Sequence, residues 1–306
     1  MNKKSKDINI AIITFIALIL VSFFFLRNSD SPSVSKPSEE KKTTEYDKAD
    51  FNIYYFNVGQ GDSTLITIDD MVILIDAGNI GYGNKIAKFL RQENIDTINY
   101  LIGTHPDADH VGGLDEIINH LHVDNLYLPT SIYECSTKQC SEIMDITIEK
   151  NIPIEQKPKG YRINLNNDAY CVILSDMYAK QSNVNDTSVV LECNYKDTGF
   201  LFLGDAPVKI EKQLLSSLQK IEVLKVAHHG ADTSTSMEFL NQIQPDFAII
   251  SVGKNSYSHP KQTIIDRLTN MGIKILRTDE QGTIILTSDG NPKNIKFNFY
   301  KNIFAE

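Results

Sequence analysis

The sequence predicts an α/β layered domain with mixed sheets, preceded by one apolar amino-terminal helix. Three observations carry that reading: short apolar runs alternating with amphipathic stretches from Phe51 onward, a tight turn between early strands, and a charge-free segment near the start. Residues 51–57, 63–68 and 71–76 read as three successive strands, with Asp69-Asp70 making the hairpin turn. Residues 84–93 have helical spacing, and 98–104 form a buried-strand run. Further strands are expected near 125–128, 170–174, 188–194, 199–203, 222–227, 247–252, 274–277 and 283–287. Helices are expected over 113–120, 140–150, 208–218, 236–242 and 261–271. Hairpins interspersed with helical crossovers need both antiparallel and parallel pairing, hence mixed sheets.

The apolar segment spans residues 8–26, 19 positions without a charge. At ~1.5 Å per residue such a helix nearly crosses a ~30 Å hydrocarbon core. Lys3, Lys4 and Lys6 precede it, which places the amino terminus in the cytoplasm and the rest outside. We read residues 1–26 as a cytoplasmic tip and uncleaved transmembrane anchor. A cleaved signal peptide is the alternative, and it would make the chain secreted. Residues 27–50, rich in Ser, Pro, Lys and Glu, read as a disordered tether. The folded domain is then 51–306, extracytoplasmic in either case.

With 42% hydrophobic and 23% charged residues, a wholly disordered or multi-span membrane chain is excluded. The net charge is −9, and residues 1–50 hold eight basic and seven acidic groups, so 51–306 carry 22 against 32, or −10. That balance argues against holding nucleic acid through a broad basic surface. It leaves room for a metal site, because a bound cation dominates its local field.

Three strand ends carry the chemistry. The run Tyr100-Leu-Ile-Gly-Thr ends in His105-Pro106-Asp107-Ala108-Asp109-His110, four ligand-type side chains in six residues. The run 200–203 ends in Gly204-Asp205, and the run 223–227 ends in His228-His229-Gly230. Imidazole nitrogen with carboxylate oxygen suits Zn²⁺, Mn²⁺ or Fe²⁺. Taken singly, an Asp after a strand makes a turn and a lone His is structural. Together, at three strand ends, they point to a metal centre at one edge of a sheet.

On these residues the chain resembles the metallo-β-lactamase fold superfamily of hydrolases, and within it the extracellular hydrolase domain of the ComEC-type DNA-uptake channel proteins. The collinear segments are FNVGQGDSTLI (56–66), ILIDAGN (73–79), GTHPDADHVGGLDEII (103–118), NDTSVVL (185–191), FLFLGDA (200–206), LKVAHHGADTSTS (224–236), SVGKNSYSHP (251–260) and RTDEQGTI (277–284). The resemblance implies a four-layer αββα sandwich with a dinuclear metal site at its edge. Asp107 replaces the second His of the superfamily's His-x-His-x-Asp-His pattern, and Asn57 stands where the branch usually has Asp. Residues 175–191 contain no His, and near its usual place stand Asn183, Asn185 and Asp186, so a further usual ligand has no counterpart. The channel proteins carry many spans whereas one is read here, so the expectation is a hydrolase domain and not the channel itself.

Carried over residue by residue, the resemblance implies that Asp109, His110 and His228 hold one metal and Asp205 bridges. His105 and Asp107 would hold the other, completed by Asn185 or water. With fewer nitrogen ligands the second site would bind less tightly and accept Mn²⁺ as well as Zn²⁺. Asp76 resembles the family's structural Asp, and His229 is given a supporting role. Asp62, in the turn Gly59–Ser63, belongs to a segment that could offer N–H groups to phosphate. His259 is the candidate for binding substrate phosphate or protonating the leaving group, with a structural His before a helix as the alternative. Asp109 would take or relay the proton in hydrolysis by a metal-activated hydroxide. His120 and His122 are expected to face solvent.

Cys135 and Cys140 close a short polar loop in an exported domain, which suits a disulfide, with a metal site as the alternative. Cys171 and Cys193 lie in strand patterns and read as ordinary buried residues. The expected function is a membrane-anchored, metal-dependent phosphodiesterase or nuclease, with nucleic acid or another phosphodiester as substrate and no nucleotide cofactor. The alternatives are a hydrolase of a wall-polymer phosphoester or a small ester or lactone, and a non-catalytic surface domain.

Overall fold

The computed structural model describes residues 50–304. The expected anchor, and the expected tether save Asp50, lie outside the described residues. No helix among the described residues is long and apolar enough to cross a membrane.

The first sheet begins with the antiparallel β1 (Phe51–Tyr55), β2 (Thr64–Ile68) and β3 (Met71–Ile75). Helix α1 (Tyr82–Gln92) crosses to β4 (Thr97–Ile102), which is parallel to β3. The short α2 (Ala108–Val111) and α3 (Leu114–His120) lead to the parallel β5 (His122–Tyr127). Then α4 (Thr130–Tyr133), α5 (Lys138–Glu149) and the two-residue β6 (Ile154–Glu155) complete that side. The second sheet holds β7 (Arg162–Asn164), β8 (Ala169–Ile173), β9 (Leu191–Tyr195) and β10 (Thr198–Phe202) in antiparallel pairs. Its strands β11 (Val223–Lys225), β12 (Phe247–Ile250) and β13 (Lys274–Arg277) continue parallel from β10, linked by α6 (Val208–Leu214), α7 (Met237–Ile243) and α8 (Gln262–Asn270). After α9 (Thr278–Gln281), β14 (Thr283–Ser288) and β15 (Lys296–Tyr300) return to the first sheet. The strand orders are β15-β14-β1-β2-β3-β4-β5-β6 and β13-β12-β11-β10-β9-β8-β7.

Two-residue periodicity explains the layering. Along β1, Ile53 and Tyr55 face one way and Tyr54 the other, and all are buried, so the strand is covered on both faces. Ile53, Tyr55, Ile66 and Ile73 pack between the sheets against Ile173, Phe200, Phe202 and Val223. On the outer side Tyr54, Leu65 and Leu74 meet Ile86 and Leu90 of α1 and Ile117 of α3. Leu201, Leu224 and Ile250 meet Leu214 of α6, Phe239 of α7 and Leu268 of α8 on the far side. The result is helix, sheet, sheet, helix.

Several strands are shorter than the apolar runs suggested, β9 and β11 for reasons the structure shows. β9 starts at Leu191 because the Val189 N–H bonds the Thr104 carbonyl across the sandwich, so the preceding residues join the two sheets instead of extending the strand. β11 stops at Lys225 because Ala227–Gly230 curl into a 3₁₀ turn.

The cysteine reading needs correcting. Cys171 and Cys193 form a disulfide, as do Cys135 and Cys140. Cys171 and Cys193 sit directly opposite each other in the β8–β9 register with Cα atoms 4.0 Å apart, a cross-strand proximity invisible in linear sequence.

Candidate metal centre

Every functional segment reaches the centre from a strand end at one edge of the sandwich. β3 ends at Asp76, β4 at Thr104-His105, β10 at Asp205, β11 at the turn holding His228 and His229, and β12 at the loop holding His259.

Asp76 organises the first-sheet side. Its Oδ1 accepts the Thr104 N–H (2.8 Å) and its Oδ2 accepts the Thr104 hydroxyl (2.7 Å) and lies 2.7 Å from His110 Nδ1. The Thr104 hydroxyl, having donated to Asp76, is left as an acceptor for His105 Nδ1, 3.1 Å away. Both imidazoles are therefore engaged at Nδ1 and present Nε2 to the interior. The second-sheet side does the same with different partners. His229 Nδ1 donates to the Ser251 carbonyl (2.9 Å), and His228 Nδ1 lies 3.2 Å from Thr233 Oγ1.

All four Nε2 atoms converge on Asp205. His110 Nε2 is 3.1 Å from Oδ1 and His229 Nε2 3.8 Å from it, while His105 and His228 Nε2 are 3.8 and 3.6 Å from Oδ2. The Nε2 atoms of His105, His110 and His229, and Asp205 Oδ1, are buried with no hydrogen-bond partner among the described residues. Buried polar atoms are ordinarily satisfied, so a cluster of convergent, unsatisfied imidazole and carboxylate atoms fits divalent metal ions. Three groups have donor atoms within 4.8 Å of one another: His105, His110, Asp205; Asp109, His110, His229; and Asp62, Asp205, His229.

Charges follow the same pattern. Burial opposes the charged form of Asp205, but His110 and His229 outweigh it and hold the carboxyl well below its usual range. Burial likewise opposes protonation of His110, yet Asp205 and Asp76 push it well above the ordinary imidazole value. His229 is also raised, by Asp205 and by its contact with Asp109 against its own burial. For His228, burial dominates and the value falls. Asp109 stays below the usual range despite partial burial, because His229 and His110 favour the carboxylate.

The expected site residues are placed as follows. His105, Asp109, His110 and Asp205 supply donors to the groups above. Asp107 is half-exposed at the start of α2, its Oδ2 3.5 Å from His105 Nε2. His228, expected as a ligand, enters none of the three groups, although its Nε2 faces Asp205. His229, expected in support, enters two of them. Asn185 sits in the 3₁₀ turn Val184–Thr187, its N–H held by Asn183 Oδ1. His259 stacks edge-on to His228, with ring centroids 5.5 Å apart, and its Nδ1 is buried and unsatisfied. His122 is exposed and His120 half-buried, both remote from the centre on β5 and α3.

Asp62 differs from expectation. Its backbone N–H is taken by the Asp109 carbonyl (3.0 Å) instead of being open to phosphate. Its carboxylate pairs with the buried Lys225, Nζ to Oδ2 at 2.8 Å. Burial raises the Asp62 pKa, but Lys225, His229 and His110 together outweigh it, so the residue is an anion whose Oδ1 faces His229 at 3.9 Å. Lys225 is thus committed to the interior. Only the alternation of β11, which puts Lys225 on the inward face with Val223, and Leu224 on the other, hinted at this.

The backbone is tailored at two glycines. A Cβ on Gly61 (φ 145°) would sit 2.4 Å from the Asp109 carbonyl oxygen, so the 59–63 turn can lie on the metal loop only without a side chain. His228, His229 and Gly230 all have positive φ (52°, 53° and 83°), and a Cβ on Gly230 would meet Pro260 at 2.6 Å. Two consecutive left-handed histidines are costly, and this turn is what aims both rings at Asp205.

Comparison with known proteins agrees. Residues 56–137 match the metallo-beta-lactamase superfamily. The chain is 29% identical over 249 residues to ComE operon protein 3 of Bacillus subtilis, covering 74% of this chain and 32% of that protein. It is 30% identical over 289 residues to recombination protein 2 of Haemophilus influenzae, covering 92% and 32% respectively. The chain thus spans about a third of the length of these curated relatives. The metallo-beta-lactamase fold protein YhfI of Bacillus subtilis superposes with a TM-score of 0.53 at 9% identity, over 78% of this chain and 100% of that one. The fold, the donor cluster and these relatives lead to one assignment: the chain is a metallo-beta-lactamase superfamily protein of the ComEC type.

Proposed function

We propose that this chain is an extracytoplasmic, membrane-anchored, metal-dependent phosphodiesterase that cuts nucleic acid. The observation that carries the chemistry is the convergence of four imidazole Nε2 atoms on Asp205, each held from behind at Nδ1. Nucleic acid as substrate is supported by the similarity to a recombination protein and to a competence protein of Neisseria gonorrhoeae. The anchor rests on the charge-free segment 8–26 behind three lysines.

His105, His110, His229 and Asp205, with Asp109, Asp107 and His228 at the rim, would hold two divalent ions, Zn²⁺ or Mn²⁺. Bound there, the ions would polarise phosphoryl oxygens and lower the pKa of water. Asp109 is ionised, and its Oδ2 lies 3.2 Å from His229 Nε2. It is the group that accepts the proton from attacking water. Burial, then His228 and His229, hold His259 below the ordinary imidazole value. It therefore enters the site neutral and donates a hydrogen bond to a phosphate oxygen. The two cations would also offset the acidity of a domain at −10 where phosphate must bind.

The test is turnover of bis-p-nitrophenyl phosphate and of single-stranded and duplex DNA by the purified chain loaded with Mn²⁺ or Zn²⁺. Asp205→Ala is expected to abolish turnover and reduce bound metal. A chain holding two metal equivalents yet inert on every phosphodiester would overturn the nuclease reading in favour of another ester or lactone substrate. A chain that binds no metal would overturn the enzyme reading altogether. Resistance of the protein to alkaline extraction from membranes tests the anchor, and its release would count against it.

A further inference from the structure

The loop after β12 carries an aromatic step from solvent to the metal centre. One side chain fixes it: Asn255 Nδ2 donates to the carbonyls of Gly253 (2.8 Å) and His259 (2.9 Å), and its Oδ1 accepts the N–H groups of Tyr257 and His259, both at 3.0 Å. Lys261 Nζ adds a bond to the Tyr257 carbonyl at 2.7 Å. A surface loop tied in this way has little freedom left to lose when a ligand binds.

What the loop holds out is the Tyr257 ring, stacked on His259 with centroids 5.6 Å apart and planes 28° from parallel. Tyr257 is 63% exposed, so its outer face is open. His259 in turn meets the His228 ring, and His228 Nε2 faces Asp205. On the other side of the centre Asp107 lines a cavity of about 370 Å³ with Thr130, Ser131 and Lys180. A strand laid across the metals would have a stacking surface on one side and space on the other.

We propose, on the basis of the phosphodiesterase reading above, that the Tyr257–His259 step is a base-stacking subsite beside the scissile phosphate, and that the substrate is a single-stranded polynucleotide. Charge selects this over a duplex. A domain at −10 offers no broad basic surface for the phosphates of a duplex, whereas stacking on the π face of a base adds to whatever phosphate contacts the site makes. Exposed Lys254 and the nearby Lys261 supply local cations at the loop. In a duplex the base faces are already stacked inside and cannot reach Tyr257. An unpaired base can.

The experiment compares the full chain with Tyr257→Ala and Tyr257→Trp. Binding of a 2-aminopurine-labelled single strand is measured in EDTA, and kcat/KM with Mn²⁺ for single-stranded DNA, single-stranded RNA, duplex DNA and bis-p-nitrophenyl phosphate. Tyr257→Ala is expected to weaken single-strand binding about tenfold, the scale of one lost stacking contact, and Tyr257→Trp to restore it. The fall in kcat/KM for single strands should exceed that for bis-p-nitrophenyl phosphate by a similar factor. Equal falls for both substrates, or unaltered single-strand binding in Tyr257→Ala, would overturn the subsite. Duplex cut as fast as single strand would overturn the substrate assignment. A chain that binds single strands through Tyr257 but cuts no phosphodiester with either metal would sink the enzymatic reading while the stacking subsite stands.

Discussion

The first sheet delivers His105 and His110 from the loop after β4, whereas the second delivers His228 and His229 from the turn after β11, and the two regions aim their rings by different means. On the first side the aim comes from side chains: Asp76 holds Thr104 at two points and His110 at a third. All the groups involved are buried, so these bonds act in a low-dielectric setting where they are strong. On the second side the aim comes from the main chain: three successive positive φ values turn the backbone, and the Ser251 carbonyl holds His229. The first device is a polar network, the second a strained turn. They should fail differently when perturbed.

The largest separation of the two is expected from Asp76→Asn. The amide has one acceptor oxygen in place of two and cannot accept all three bonds from Thr104 and His110, and disturbing a group that orients a ligand typically lowers metal affinity about 10–100-fold. Isothermal titration should show that loss concentrated in one of two metal equivalents, with the equivalent nearer His229 less affected. Equal weakening of both would mean that the two sides are aimed by one shared network.

Gly230→Ala probes the second device. The added Cβ meets Pro260 at 2.6 Å with φ at 83°, and a strained left-handed residue costs about 1–3 kcal/mol. Thermal denaturation of the metal-free chain should report that loss directly, whereas Asp76→Asn should act mainly on metal binding. A Gly230→Ala variant as stable as the parent would show that the turn relaxes without cost.

The smallest effect is on pH dependence. In the metal-free protein His110 and His229 have raised values, so their protonation stabilises the fold fully below the ordinary imidazole value and is lost as pH rises through the raised ones. Metal must displace those protons. Affinity is therefore expected to rise with pH past the usual histidine range, with proton release on binding that varies with pH. The Asp76→Asn variant should shift this dependence downward, since Asp76 is one of the groups raising His110. A metal affinity flat with pH above the ordinary histidine value would contradict that account.

Much of the architecture was legible in the sequence. The hairpin turn at Asp69-Asp70, the crossover helices and the ligand-type residues at strand ends all follow from local apolar periodicity, and the structure has them within a few residues. The short β6 and β7 were not legible, because two or three residues carry too little pattern. Nor was the Lys225–Asp62 pair, whose members lie 163 positions apart. His228 and His229 illustrate the limit most clearly. As adjacent residues they have equal claims as ligands, and a two-residue rule cannot decide between them. The choice depends on the left-handed turn and on which partner, the Thr233 hydroxyl or the Ser251 carbonyl, each Nδ1 meets.

What the sequence determined by itself is therefore the set of chemical types and their delivery to strand ends, because both depend on short-range pattern. The tertiary structure decided which atoms face inward, which cysteines pair, and which lysine is buried against an aspartate. Those outcomes depend on strand register and on contacts between sheets, and such distances are set only when the two layers pack.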